Sequence, residues 1–258
     1  MMKKIKNLGM GGFGYVDLYQ NPSDYAYYAV KFMQGFWDNA NYQRFVQEIN
    51  ILRQLNHNNI IKVLNFDITG NNPYYVMPFF VRGSLRTILN EYKDKNLIFS
   101  PQAAISIILM LADAMQYAHS KGCIHRDLKP ENILFEGQIP VIADWGIGKF
   151  IHKGSVVLNQ HGGLGTPVYC SPEQWANRPT DERTDIFALG VIFREVLTGN
   201  PKGVVNEASL NAIILKMTDE NPNARYSSMQ AVINAIKALG NTPQNPEDTF
   251  WEDVAKAS

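Results

Sequence analysis

Apolar residues along the 258-residue chain recur at strand spacing in its first part and at helix spacing later. Runs rich in β-branched and aromatic residues predict short strands at residues 5–8, 15–20, 29–31, 74–77 and 133–135. Apolar repeats of helical period predict helices at residues 42–55, 83–91, 101–121 and 227–239. The pattern therefore predicts strands around one helix, followed by a part of the chain that is mostly helical.

The longest predicted helix has clear start and stop signals. Ser100 is a suitable N-cap, Pro101 fits the first helical position, and Gly122 is well placed to end the helix. Its apolar run at residues 103–118 is interrupted by three polar side chains, and it is too short to cross a bilayer. We therefore expect a buried helix and no membrane span.

Composition indicates an ordinary globular chain, long enough for one large domain or two small lobes. Hydrophobic residues make up 45% and charged residues 19% of it, and the formal net charge is +0. The chain therefore has no net charge that would favour binding to nucleic acid or to an anionic membrane surface. Cys123 and Cys170 have neither metal-ligand spacing nor a disulfide framework, so we expect a reduced, cytoplasmic setting. No signal peptide is expected, because the N-terminal positive charges precede no apolar core.

The segment H-R-D-L-K-P-E-N at residues 125–132 concentrates three different polar groups in one predicted loop. Asp127 supplies a carboxylate, Lys129 an ammonium group and Asn132 an amide. A single loop with this spacing can carry a base, a cation that neutralises phosphate and a ligand for a metal ion. The loop is therefore the first candidate for a catalytic site.

A glycine-rich stretch near the N-terminus reads G-M-G-G-F-G over residues 9–14. β-rich sequence follows it, so the glycines are predicted in a hairpin, whereas a dinucleotide-binding fold would open a helix there. The backbone amides of such a hairpin can approach phosphate oxygens. Lys31 lies on the next predicted strand and needs a partner, because a buried ammonium group is costly. Glu48 is the only acidic residue between Asp38 and Asp67, which makes it the predicted partner.

Together these motifs resemble the eukaryotic-type protein kinase family, whose catalytic loop reads H-R-D-x-x-x-x-N. The resemblance covers residues 8–239, and a lysine two residues after the aspartate, here Lys129, resembles the pattern of the Ser/Thr class. It implies an α+β, bilobal fold: a small lobe with an antiparallel sheet and one main helix, and a larger, mainly helical lobe. The implied boundaries are a kinase domain at residues 1–240 (small lobe 1–77, hinge 78–82, large lobe 83–240) and a tail at 241–258.

The same resemblance implies ATP and Mg²⁺ as cofactors, with Mn²⁺ as an alternative ion. Met77 would lie behind the adenine as the gatekeeper, while the Pro78 carbonyl and the Phe80 amide would bind the edge of the ring. Asn132 and Asp144, the latter in D-W-G, would be the metal ligands. The residues implied around the nucleotide are Leu8, Gly9, Gly11, Gly12, Gly14, Val16, Ala29, Lys31, Met77, Pro78, Phe80 and Leu134.

For catalysis, the resemblance implies that Asp127 accepts or orients the proton of the substrate hydroxyl. Lys129 would neutralise charge on the transferred phosphoryl group, and Glu48 would orient Lys31 towards the α- and β-phosphates. Thr166 would bridge Asp127 and Lys129, as a threonine does in Ser/Thr kinases.

Four further positions have structural roles in the resemblance. Asp185 would accept hydrogen bonds from backbone amides of the catalytic loop, Glu173 and Arg225 would form a buried pair, and His125 would be architectural.

Several positions depart from the family pattern. Trp145 stands where the family usually has phenylalanine, and its larger ring is predicted to resist flipping out of its pocket. Arg126 precedes the catalytic aspartate, as in kinases whose activation segment is ordered by a contact between phosphate and arginine. Ser155 is the only hydroxyl-bearing residue between residues 147 and 165, so it is the first candidate for autophosphorylation and Thr166 is the second. Constitutive activity is the alternative. Residues 199–210 leave no room for the helix and long loops found there in the family, which predicts a reduced docking surface.

The predicted function is transfer of the γ-phosphoryl group of ATP to Ser/Thr hydroxyls of a protein substrate, with no nucleic-acid partner. Two alternatives stay open: a catalytically silent nucleotide-binding scaffold and a small-molecule phosphotransferase. The compact core fits a bacterial or phage-type kinase. Substrate identity and oligomeric state cannot be deduced from the sequence.

Overall fold

The computed structural model describes residues 2–11, 14–34, 39–146, 149–150 and 168–240. Its N-terminal part is built on strands β1 Lys3–Gly11, β2 Gly14–Gln20, β3 Tyr27–Met33, β4 Asn65–Asp67 and β5 Tyr74–Pro78. They form one antiparallel sheet in the order β1-β2-β3-β5-β4. The register sets Lys31 opposite Val16 on one neighbouring strand and opposite Tyr75 on the other.

One helix, α1 Asn39–Gln54, packs against this sheet. Its buried face carries apolar side chains at helical spacing, including Phe45, Ile49 and Leu52. Glu48 is buried on the same helix, with a relative exposure of 2%. A carboxylate in an apolar interface needs a partner, and the middle of β3 supplies one.

The C-terminal part is mainly helical and contains α2 Leu85–Asp94, α3 Pro101–Ser120, α4 Pro172–Trp175, α5 Arg183–Thr198, α6 Ala208–Met217 and α7 Met229–Lys237. Helix α3 is largely buried and packs on α5 and α7. Its predicted ends are confirmed: Ser100 Oγ accepts the Ala103 amide at 3.2 Å, and Gly122 adopts φ +73° just after the helix. This helix is the central support of the larger lobe.

Helix α2 is longer than the sequence predicts. The expected end near Glu91 is wrong, because the helix continues to Asp94. Tyr92 extends the buried stripe formed by Leu85 and Leu89, and its ring stacks on Phe99 at 4.5 Å between centroids. Burial of this aromatic side chain stabilises the additional residues of the helix.

Short strands frame the predicted catalytic loop. Strand β6 Cys123–Ile124 precedes it and pairs with β9 Lys149–Phe150. A 3₁₀ turn at Pro130–Asn132 ends the loop and leads into the hairpin of β7 Ile133–Glu136 and β8 Ile139–Ile142. Both ends of the loop are therefore held by backbone pairing.

The predicted α+β architecture, an antiparallel-sheet lobe followed by a helical lobe, is confirmed. Residues 199–207, all of them described, form no helix, in agreement with the shortened segment predicted there. Within the described ranges, none of the helices combines the length and apolar character needed to cross a bilayer. The tail at residues 241–258 lies outside the described residues.

Candidate active site

Lys31, Glu48 and Asp144 form a continuous chain of hydrogen bonds between the two lobes. Lys31 Nζ donates to both carboxylate oxygens of Glu48 at 2.8 Å and to Asp144 Oδ1 at 2.9 Å. Lys31 belongs to β3, Glu48 to α1, and Asp144 follows β8. The predicted Lys31–Glu48 pair is therefore present, and a second carboxylate joins it.

The three charges shift one another's protonation equilibria. Burial alone would lower the pKa of Lys31, but the charges of Asp144 and Glu48 outweigh it and raise that pKa well above its ordinary value. Burial raises the pKa of Glu48, although Lys31 opposes this. Lys31 lowers the pKa of Asp144 to about 2. Asp144 is therefore an ionised carboxylate at neutral pH, and with 48% of its side chain exposed it is accessible to a cation from solvent.

Tyr75 also belongs to this group, and sequence reasoning missed it. It lies opposite Lys31 in the β3–β5 register, and the Lys31 ammonium group is 5.8 Å from the centre of its ring. Its hydroxyl donates to Glu48 Oε1 at 2.9 Å. Burial raises the pKa of Tyr75, so the hydroxyl stays protonated as a donor. Only the strand register could have revealed this contact, because the sequence shows an ordinary aromatic strand residue.

The catalytic loop brings Asp127, Lys129 and Asn132 into direct contact. Lys129 Nζ bonds to Asp127 Oδ2 at 2.7 Å. The Asn132 amide nitrogen donates to the backbone carbonyl of Asp127 at 2.9 Å and to its Oδ2 at 3.1 Å. Burial raises the pKa of Asp127, while the Lys129 charge opposes the shift. The arrangement holds a carboxylate of increased basicity in a defined position.

Asp185 of α5 anchors this loop. Its two carboxylate oxygens accept the backbone amides of His125 at 2.9 Å and Arg126 at 2.8 Å, as the sequence predicted. Gln174 donates to the Arg126 carbonyl at 2.7 Å. These bonds hold Arg126 at φ +70°, a left-handed conformation that costs about 1–2 kcal/mol for a residue with a Cβ atom. The fold therefore maintains a strained backbone next to Asp127.

His125 and Trp145 pack against each other behind the loop. His125 Nδ1 accepts the Asp127 amide at 3.2 Å, so its Nε2 carries the proton donated to the Ala143 carbonyl at 3.1 Å. Trp145 is fully buried and contacts the His125 ring edge-on, 4.6 Å between centroids. Its Nε1 has no hydrogen-bond partner among the described residues. Resistance of Trp145 to flipping stays a prediction.

The two predicted metal ligands lie on adjacent segments. The Ala143 amide donates to the Asn132 carbonyl at 2.8 Å, directly before Asp144. Because the side-chain nitrogen of Asn132 is bonded to Asp127, Oδ1 is the atom that can bind a metal ion. In the described ranges, no group of three or more His, Cys, Asp and Glu residues could hold a metal ion by itself. Two oxygen donors fit Mg²⁺ that also binds phosphates.

Among the predicted phosphate-binding glycines, Gly9, Gly11 and Gly14 lie in described strands, whereas Gly12 lies outside the described residues. A Cβ atom on Gly14 would collide with the carbonyl oxygen of Phe32 on β3. The sheet itself therefore requires this glycine. A Cβ atom on Gly9 would have no described heavy atom within 4 Å. No described contact therefore requires a glycine at this position, and the approach of phosphate to Gly9 stays a prediction.

The residues predicted around the adenine come from the small sheet and from the β7–β8 hairpin. Ala29 lies opposite Met77, and both side chains are buried. Val16 and Leu134, from opposite lobes, are partly buried against the same apolar core. Leu8 is 38% exposed on the edge strand β1. The structure therefore brings strand β2, strand β3, strand β5 and hairpin β7–β8 to this core.

The predicted hinge follows directly. Pro78 ends β5 opposite Tyr28, and Phe80 is 8% exposed. The Phe80 carbonyl accepts the Gly83 amide at 3.1 Å, and the Gly83 carbonyl accepts the Phe135 amide at 3.0 Å. These bonds connect the hinge to the β7–β8 hairpin.

The predicted Glu173–Arg225 pair is present: Arg225 Nη1 and Nη2 each donate to one carboxylate oxygen of Glu173 at 2.7 Å. Thr166 and the candidate phosphorylation site Ser155 lie outside the described residues.

A family model for the protein kinase domain matches residues 2–238, and the chain belongs to the protein kinase family. It is 30% identical over 266 residues to the serine/threonine-protein kinase Pkn1 of Myxococcus xanthus, an alignment that covers 90% of this chain and 37% of that protein. It is 31% identical over 257 residues to the serine/threonine-protein kinase PknB of Mycobacterium tuberculosis, covering 95% of this chain and 40% of PknB. The chain thus spans less than half the length of these relatives.

Proposed function

We propose that this chain transfers the γ-phosphoryl group of ATP to serine or threonine hydroxyls of a protein, with Mg²⁺ as the metal ion. The observation that carries the proposal is the hydrogen-bonded chain Lys31–Glu48–Asp144, which adjoins the loop of Asp127, Lys129 and Asn132. The relatives Pkn1 and PknB, which are serine/threonine-protein kinases, support it.

In this proposal the small lobe binds and orients the nucleotide. Lys31, bonded to Glu48 and adjoined by Tyr75, would direct its charge at the α- and β-phosphates, and strand β1 near Gly9 would supply backbone amides. The apolar core around Ala29 takes the adenine. Bound Mg²⁺ would supply positive charge between the phosphates, held by Asn132 Oδ1 and the Asp144 carboxylate.

The large lobe would carry the transfer step. Asp127 accepts or orients the proton of the attacking hydroxyl, and its raised pKa increases its basicity. Lys129 would neutralise charge on the phosphoryl group as it moves. Thr166, which lies outside the described residues, would bridge Asp127 and Lys129 as the family resemblance implies. Most of the rate enhancement would come from position and charge, because little covalent chemistry is required of the protein.

Two alternatives make different predictions. A silent scaffold would bind ATP without turnover. A small-molecule phosphotransferase would transfer phosphate but would usually lack the anchor formed by Glu173 and Arg225. The presence of that anchor favours a protein substrate.

The test is incubation with γ-labelled ATP and Mg²⁺, first of the protein alone and then with a cell lysate, beside Asp127→Ala. We expect label on protein with the wild type and none with the variant. Intact-mass spectrometry before and after phosphatase treatment would show whether the protein autophosphorylates, with Ser155 the first candidate site and Thr166 the second. ATP binding without any transfer by the wild type would favour the scaffold instead.

A further inference from the structure

Arg86 on α2 joins three parts of the large lobe that are distant in sequence. Its Nε donates to Glu131 Oε1 at 2.8 Å, and its Nη1 donates to Glu195 Oε1 at 2.7 Å. Its Nη2 donates to the Tyr169 hydroxyl at 2.6 Å, and this hydroxyl in turn donates to Glu195 Oε2. We name Arg86, Glu131, Tyr169 and Glu195 the Arg86 cluster.

The cluster depends on the charge of Arg86. Glu195 and Tyr169 are buried, with relative exposures of 3% and 4%. A carboxylate at such a position needs a counter-charge. Burial would lower the pKa of Arg86, but its hydrogen bonds to Glu195 and Glu131 outweigh this and raise that pKa. The guanidinium group therefore stays charged over the whole working pH range.

The cluster also connects segments on which the proposed transfer depends. Glu131 lies in the turn Pro130–Asn132, between Lys129 and Asn132 of the catalytic loop. Tyr169 lies four residues before Glu173, where the chain enters α4. Arg86 thus bonds to the catalytic loop on one side and to the segment leading into α4 on the other. None of the roles assigned to the active-site residues uses this contact.

We propose that Arg86 is a positioning residue: it holds the catalytic loop and the segment around Tyr169 in their relative geometry through the Arg86 cluster. This inference rests on the proposed kinase function. Arg86 touches neither Lys31 nor Asp127 in the described structure, so it acts through Glu131 and Tyr169. Its loss should slow the transfer step more than it weakens ATP binding.

The surroundings of Arg86 allow a chemical test of this role. A cavity of about 410 Å³ adjoins it and is also lined by Glu195, Lys93 and Asn200. The Arg86 side chain is 26% exposed. A small planar cation from solution can therefore reach the space that Arg86→Ala would leave beside Glu195.

The experiment compares the steady-state kinetics of the wild type, Arg86→Ala and Arg86→Lys towards a protein or peptide substrate. For Arg86→Ala we expect kcat to fall about 10- to 100-fold and KM for ATP to change less than about twofold. Guanidinium ion at non-denaturing concentrations should restore part of kcat, whereas equal concentrations of sodium ion or urea should not. Arg86→Lys should lie between, because an ammonium group cannot bond to both carboxylates and the hydroxyl in one plane.

Lys93→Ala is the matched control, since Lys93 is a charged residue of the same helix and cavity but makes no bond within the Arg86 cluster. It should leave kcat unchanged. If Arg86→Ala does not fold, Tyr169→Phe removes only one hydroxyl and should lower kcat about threefold. If the wild type is active and a folded Arg86→Ala or Tyr169→Phe variant keeps full kcat, the role of Arg86 is overturned but the proposed function is not. An inactive wild type would overturn the proposed function, and this inference with it.

Discussion

Two buried pairs of glutamate and a cation, one in each lobe, differ in how completely their polar atoms are bonded. In the small lobe, Lys31 bonds to both oxygens of Glu48, and its further bond goes to Asp144, whose side chain is 48% exposed. In the large lobe, Arg225 bonds to Glu173 with two nitrogens, and its side chain is 0% exposed. Only the first pair has a contact that faces solvent.

The remaining partners increase this difference. Arg225 also donates to the carbonyls of Asp219 at 2.7 Å and Arg183 at 3.0 Å, while Thr184 donates to Glu173 Oε1 at 3.0 Å. The rigid guanidinium group is matched by fixed acceptors on every side, as expected of a structural pair. The compact ammonium group of Lys31 can exchange its exposed contact for a phosphate oxygen. We infer that a pair whose charged groups are hydrogen-bonded on every side is structural. A pair with a contact that can be exchanged for a ligand is functional.

The largest expected effect is on the stability of the large lobe. Arg225→Met leaves the buried Glu173 carboxylate without its cation and should destabilise the fold by about 3–5 kcal/mol. Urea denaturation followed by circular dichroism measures this change. The double variant Glu173→Gln with Arg225→Met should regain part of the loss, because no buried charge is left unpaired. An unchanged unfolding midpoint in the single variant would contradict the structural role.

The matching change in the small lobe should affect activity instead. Lys31→Met should lower kcat/KM at least about 100-fold, because a preorganised charge at the phosphates is lost. Its effect on unfolding free energy should be smaller than that of Arg225→Met, since Glu48, whose pKa burial already raises, can take up a proton. Equal losses of stability in Lys31→Met and Arg225→Met would contradict the distinction between a functional and a structural pair.

Asp127 and Lys129 form a third pair, of intermediate exposure. Their side chains are 16% and 20% exposed. The active form of Asp127 is the carboxylate, so activity is present above its pKa and lost as the pH falls through it. Lys129 lowers that pKa, so Lys129→Met should move the acid limb of the kcat/KM profile to higher pH and reduce the plateau about tenfold. An acid limb that stays in place would exclude Asp127 as the titrating group.

The smallest expected effect tests Tyr75, the second hydrogen-bond partner of Glu48. Tyr75→Phe removes the hydroxyl that donates to Glu48 Oε1 and keeps the ring beside Lys31. A hydrogen bond of this kind contributes about 1 kcal/mol, so kcat/KM for ATP should fall about fivefold. Tyr74→Phe is the control, because the ring of Tyr74 packs on Phe32 and is retained. Equal effects of the two substitutions on kcat/KM would show that the Tyr75 hydroxyl has no specific role in the site.

The contacts that the sequence predicted correctly are those between motif residues. Glu48 could be chosen for Lys31 because no other acidic residue lies nearby in sequence, and the 2.8 Å contact agrees with that choice. Asp185 likewise bonds to the catalytic-loop amides as the family resemblance implied. Short spacing and a strong charge requirement made the Lys31–Glu48 contact predictable, whereas the Asp185 contacts, 60 and 59 positions apart in sequence, followed from the resemblance alone.

Contacts that depend on register and packing could not be predicted in this way. Tyr75 meets Glu48 only because β5 pairs with β3 in one particular register, and Arg86 meets Glu195 across 109 positions of sequence. The edge-on contact between the rings of Trp145 and His125 is also a property of the packed interior. Periodicity indicates which face of an element is buried, but not which polar atoms meet there.

The most direct test of the account is the chemical identity of the residue that receives the phosphoryl group. After reaction with γ-labelled ATP and Mg²⁺, labelled protein is acid-hydrolysed and its phosphoamino acids are separated, with Asp127→Asn as the control. We predict phosphoserine or phosphothreonine from the wild type and no label from the variant. Nucleotide binding by the wild type without labelled amino acid, or equal labelling by Asp127→Asn, would contradict the central claim.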